Sequence, residues 1–168
     1  MPRIEHIAER RKRLEADPIC LHLEAFLEEC AMAADVRILD RFFDTDSAEI
    51  LVEAINKAPN LRTLRILTKS DLVEDCRTCI AGAKPSPRDR STRPSMEIRG
   101  LYKARYQNAH WESRLHDRFA ITDGELWHFG ANVMGNHEGL NACSRGWNDA
   151  DIKFHELFDQ IWKDCRNG

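Results

Sequence analysis

The sequence has no apolar run long enough to span a bilayer. Its N-terminus, MPRIEHIAERRKRLEAD, is charged where a secretory signal would be apolar. These absences exclude membrane insertion and point to a cytoplasmic chain. Strong net charge is also lacking: the formal value is −3, so global charge does not advertise a polyanionic partner. The six cysteines, at 20, 30, 76, 79, 143 and 165, are scattered, unlike the framework of a small disulfide-stapled domain. Most of them read as buried thiols packing as small hydrophobes. No internal repeat is present, so any motif occurs once.

What remains is a soluble globular composition. With 168 residues, 42% hydrophobic and 32% charged, the chain suits one domain over 1–168 that buries its core without staples. Charge is uneven along it. Lys84, Arg88, Arg90, Arg93, Arg99, Lys103 and Arg105 face only Asp89 and Glu97 in that stretch. Folded near a site, such a segment attracts phosphates; otherwise it is a solvated basic loop.

The elements alternate. Residues 4–16 pattern as a helix with RRKR (10–13) outward, a helical extension over about 1–17. Asp17-Pro18 starts a second helix, PICLHLEAFLEECAMAA. VRILDRFF (36–43) is rich in β-branched and aromatic residues and predicts a buried strand. DTDS caps a helix AEILVEAINKA ending at Pro59, and LRTLRILTK (61–69) predicts a second strand. Strand, helix, strand implies a βαβ unit with a parallel pair, hence an α/β domain. From 70 to 95 the pattern fades into a mobile basic loop containing KPSPRDRSTRPS. MEIRGLYKA restarts strand character, and DADIKFHELFDQIWKDC predicts one amphipathic helix burying Ile152, Leu157, Phe158, Ile161 and Trp162.

The segment LHDRFAITDGELWHFGAN (115–132) carries the chemistry. Leu115–Thr122 and Glu125–Phe129 flank Asp123-Gly124, a strong hairpin signal. Side chains alternate along a strand, so His116 and Arg118 share a face, about 7 Å apart. Histidine there serves as nucleophile or proton carrier near neutral pH. Arginine beside it offers a permanent charge and a planar fork for phosphate oxygens. Asp123 orients neighbours or supports the turn, Gly130 admits close backbone approach, and Asn132 adds an amide donor. The set describes a phosphate site with a histidine placed to react.

His116-x-Arg118, four residues, Asp123, six residues, then Gly130-Ala131-Asn132 resembles the HxKx4Dx6GSxN signature of the phospholipase D superfamily. VRILDRFFD and FHELFDQIW are similar to that family's early strand and closing helix. The resemblance implies a phospholipase D-like single domain, a mixed β-sheet flanked by helices. It implies a phosphodiesterase using two histidines, one forming a phosphohistidine and one protonating the leaving oxygen, without metal or other cofactor. His116 would be nucleophile or acid, Arg118 the phosphate clamp and Asp123 the support. Asn132 and Gly130 would contact substrate, and His137 or Glu138 would reach the site. One motif supplies one histidine, so the resemblance implies a homodimer. Here Arg118 stands for the signature's lysine, Ala131 for its serine and Val133 for its asparagine.

Two readings follow. One is a nuclease acting on DNA or RNA, favoured over lipid by the basic stretch and the absence of a membrane-binding amphipathic segment. The other is a phospholipase D-like module that holds nucleic acid or a protein partner without turnover. Cys76-x-x-Cys79 lacks the second ligand pair a zinc site needs, and His128, His110 and His155 read as surface or incidental residues.

Overall fold

A computed structural model describes residues 21–85, 93–101, 111, 115–135 and 143–165. The expected first helix, part of the basic loop, and both His137 and Glu138 lie outside those residues. The described chain runs α1 (Leu21–Met32), β1 (Asp35–Leu39), α2 (Thr45–Ile55), β2 (Thr63–Thr68), a 3-10 turn (Ser70–Leu72) and α3 (Val73–Ala81). It continues through β3 (Ser95–Gly100), β4 (Arg118–Thr122), β5 (Glu125–Phe129), β6 (Cys143–Asn148), α4 (Asp149–Ile152) and α5 (Phe154–Asp164).

The six strands form one mixed sheet in the order β3-β2-β1-β4-β5-β6. The expected βαβ unit is present: β1 pairs in parallel with β2 through Val36–Leu64 and Ile38–Ile66, and β2 pairs in parallel with β3. The other half is antiparallel, with β4 against both β1 and β5, and β5 against β6. Alternation assigns the two faces. Val36, Ile38, Leu64, Ile66, Ala120, Trp127 and Phe129 join Leu23, Phe26, Leu51, Ile55 and Ile80 in the larger core. Phe26 of α1 anchors it, with edge-on contacts to Trp127 at 5.3 Å and Phe129 at 5.2 Å. Fully burying such rings contributes about 1.5–3 kcal/mol each before entropy is subtracted.

The opposite face is more polar. Leu39 and Leu67 pack with Phe158, Ile161 and Trp162 of α5. Beside them Arg37 and Arg65 are direct cross-strand neighbours. Two adjacent cations repel, and Asp159 of α5 offsets this by accepting from both, at 3.3 and 3.2 Å. Arg99 lies 4.2 Å over the Trp162 ring and donates to the Trp162 carbonyl at 2.7 Å. This helix is therefore held on the sheet by charge and cation–π contact as well as by apolar area.

Local signals placed the turns and caps. Asp44 is the N-cap of α2 and accepts from Ser47 N at 2.8 Å and Ser47 Oγ at 2.7 Å. Asp123 and Gly124, at φ 49° and 90°, make the two-residue turn with both φ positive that joins twisted strands.

Five expectations need correction. The strand expected over 36–43 stops at Leu39, because Asp40 turns back to accept the amide of Phe42 at 2.9 Å. The strand expected from Leu115 begins at Arg118, where its ladder to β5 ends, one residue beyond the end of the ladder to β1. Residues 70–81 are helical instead of loop. The closing helix is broken at Lys153, whose φ is 57°, leaving Ile152 and Leu157 exposed while Phe158, Ile161 and Trp162 are buried. Finally, β6 was not anticipated: CSRGWN lacks alternation, carries Gly146 at φ 102°, and pairs through a register shift at Leu126/Trp127.

Gly100 ends β3 against the turn after β2. A Cβ there would stand 2.8 Å from Ser70 Cα, a backbone atom that cannot swing aside. Gly100→Ala is therefore expected to lower stability by about 1–3 kcal/mol, seen as a lower urea midpoint at unchanged slope.

Candidate active site

The C-terminal ends of the parallel strands β1 and β2 lie on the same edge of the sheet as the start of β4 and the end of β5. Residues just past strand ends in open α/β sheets line ligand crevices. Four such residues meet here: Asp40 after β1, Lys69 after β2, Arg118 opening β4, and Asn132 after β5. Phe42, Asp44, Lys69, Asp71, Leu72, Arg118 and Asn132 line a cleft of about 500 Å³.

Asp40 is fully buried. One carboxylate oxygen accepts the Phe42 amide at 2.9 Å and the other the Val133 amide at 2.8 Å. The Arg118 guanidinium approaches at 3.9 Å through Nε. Burial outweighs those two amide bonds and the arginine's attraction, and it holds the Asp40 carboxyl above the usual carboxylate range.

Arg118 is held from several sides. Its Nη1 donates to the His116 carbonyl at 2.8 Å, and its Cζ lies 5.2 Å from the Phe42 ring centre. Phe42 is also approached by Arg41 at 4.5 Å and Lys69 at 4.8 Å. A half-buried phenyl ring lining the cleft thus gathers three cations, two of which, Lys69 and Arg118, also line it. Only a planar fork hydrogen-bonds a carbonyl through one arm while facing a carboxylate through Nε, so lysine at 118 would not make the same contacts.

The residues singled out in the sequence fall in different places. His116 is exposed and sits ahead of β4 instead of within it. Arg118 and Asn132 share the cleft. The Asn132 amide donates to the Phe42 carbonyl at 3.2 Å and accepts from Met134 N at 2.9 Å, closing the turn after β5 onto the loop after β1. Gly130 is exposed at the start of that turn, but the positive φ falls on Gly135, at 66°. Ala131 and Val133, which replace the signature's serine and asparagine, are buried.

Asp123 stands at the opposite end of β4, about 16 Å from Arg118 along the strand. Its carboxylate accepts the amides of Ala34 at 3.0 Å and Asp35 at 2.8 Å. It ties the hairpin turn to the start of β1 and does not reach the cleft. The CxxC pair is also remote in role: Cys76 is buried, with its Sγ 3.5 Å from the Phe43 carbonyl and its thiol pushed up to about 12 by burial. Among the described residues no group of three or more His, Cys, Asp or Glu is arranged to hold a metal.

Sequence reasoning missed Asp40, Phe42 and Lys69 as site residues. A signal existed: Asp40 and Lys69 directly follow the two strands read as a parallel pair.

The mixed sheet with helices on both faces matches a phospholipase D-like fold. The structure is similar to that of Nuc, a phospholipase D family member from Salmonella typhimurium, with a TM-score of 0.51 at 16% identity over 86% of this chain and 90% of that one. TrmBL2, an archaeal chromatin protein with a novel mode of DNA binding, gives a TM-score of 0.49 at 14% identity. That match covers 96% of this chain, which spans 64% of TrmBL2. No family model and no curated protein matches the sequence.

Two outcomes follow from the site. Between the ordinary carboxylate value of 3.8 and its raised folded value, Asp40 keeps its proton in the folded state but loses it when unfolded, so its contribution to stability falls as pH rises. Asp40→Asn lacks that titration, and its penalty relative to the parent protein is expected to shrink as pH is raised in urea titrations. Asp123→Ala removes charge-assisted bonds to two amides and is expected to lower stability by about 1–3 kcal/mol, with Asp123→Asn milder.

Proposed function

We propose that this chain is a metal-independent phosphodiesterase acting on nucleic acid through His116, in a site completed by a second copy. The observation that carries the reading is Arg118, seated in the cleft over Phe42 with one arm on the His116 carbonyl. That bond couples a permanent positive charge in the cleft to the backbone of His116, which itself does not line the cleft, and the reading has the exposed imidazole turn toward an anion held by Arg118. The phospholipase D-like fold supports the same reading.

In the proposed reaction an imidazole nitrogen of His116 attacks phosphorus. The P–O bond to the leaving group breaks, and the leaving oxygen takes a proton from His116 of the other copy. Water then attacks the phosphohistidine, giving a proton back to that second imidazole and releasing a phosphomonoester. Arg118 holds non-bridging oxygens, and Asn132 contacts the strand. His137 and Glu138 are proposed to complete the site from the segment after the motif. Each chain contributes one such histidine, so the active species is a C2 homodimer.

A second reading is favoured by a specific observation. The Asn132 amide is engaged with backbone on both sides, and one arm of Arg118 is spent on the His116 carbonyl. With these groups committed to backbone, fewer donors remain to stabilise a transition state, while the other arm of Arg118 still meets a phosphate. In this reading the chain is a binding module for nucleic acid or a protein partner.

Cleavage of single- and double-stranded DNA and of a simple phosphodiester, in excess EDTA, separates the readings. EDTA-resistant cleavage by the parent protein, lost by about a thousandfold or more in His116→Ala, is the expected result. Binding without cleavage of any of them selects the module. A strict monomer in light scattering removes the second histidine and with it the two-histidine mechanism.

A further inference from the structure

The cleft is nearly balanced in charge. Lys69 and Arg118 line it, but so do Asp44 and Asp71. A duplex-binding surface draws its affinity from many unopposed cations that displace counterions from phosphates. Here that source is weak, and the remaining source of affinity is the Phe42 ring. It lies half-buried in the cleft wall at the point where β1, β2 and β4 converge. Aromatic rings in this setting stack on bases, which every nucleotide presents once it is unpaired.

Resting on the nucleic-acid reading above, we infer that Phe42 and Lys69 form a single-nucleotide subsite for unpaired strands, with a base stacked on the Phe42 ring and its flanking phosphate on the Lys69 ammonium. Three features support it. The cleft, at about 500 Å³, has the size of a small-ligand pocket and suits one nucleotide, not a helix. Phe42 is fixed at its backbone, its amide held by Asp40 and its carbonyl by Asn132, so the ring is pre-positioned. Lys69 lies 4.8 Å from the ring centre on a long flexible stem, close enough to meet the phosphate of a base that takes its place over the ring. Arg41, Lys69 and Arg118 all lie within 5.2 Å of the ring centre, and the base takes the position of the flexible Lys69 while the two arginines stay. Arg118, tied to His116, then meets the next phosphate along, which sets the scissile bond beside the stacked base.

The test is binding of fluorescent 12-nucleotide strands by the full chain carrying His116→Ala, so that no strand is consumed. One strand is oligo-dT and the other an abasic strand with the same phosphates. The subsite predicts about tenfold tighter binding of dT. Phe42→Leu should erase that preference while leaving the abasic affinity in place, and Phe42→Tyr should restore it. Lys69→Met should weaken both strands alike and reduce the slope of log affinity against log salt by about one. Equal binding of dT and abasic strands overturns the subsite and leaves the phosphodiester reading standing. Binding of neither strand overturns the nucleic-acid reading itself. Retention of the dT preference in a folded Phe42→Leu protein assigns stacking elsewhere and sinks the role of Phe42.

Discussion

The buried carboxylate of Asp40 is the contact on which the site edge depends. It lies where β1 ends and holds two separate loops through their amides, Phe42 in its own and Val133 in the turn after β5. It also faces the Arg118 guanidinium. Removing water from a carboxylate is unfavourable, and two amide bonds with the nearby guanidinium offset part of that cost. That convergence forces three chain segments into one arrangement. Phe42 and Asn132 are then joined by the Asn132 amide, which donates to the Phe42 carbonyl.

The two halves of the sheet divide the labour. The parallel half supplies the convergent strand ends that carry Asp40 and Lys69. The antiparallel half brings Arg118 and Asn132 to the same edge because β4 and β5 run in opposite directions. The helix α5 covers the far face without purely apolar packing: Asp159 bridges Arg37 and Arg65, and aromatic rings receive their guanidinium groups. Asp123, at the other edge, secures the hairpin turn to the start of β1. One motif thus serves two ends of a strand, with its arginine at the cleft and its aspartate at the opposite turn.

Much of this was legible from local pattern. Asp123-Gly124 marked a turn that needs positive φ at both positions, and Asp44 marked a helix start three residues ahead of Ser47. The βαβ order announced a parallel pair. The misses were of another kind. Residues 70–81 fold as a helix because Cys76 and Ile80 find a core to pack against, which composition does not reveal. The exposed strand β6 takes its hydrogen bonds from β5 despite a sequence that favours none.

The sequence by itself determined the elements whose signals lie within a few residues: the strands before β6 by alternation or β-branched content, the caps and turns by side chains that bond their own backbone, and the motif by its spacing. Only the tertiary structure decided which of those elements share an edge. Asp40, Lys69, Arg118 and Asn132 are spread over more than ninety residues. Their meeting depends on strand order and direction, which are set by burial of both sheet faces at once. Strand alternation put Arg118 on one face; the neighbours that hold its guanidinium came from the sheet.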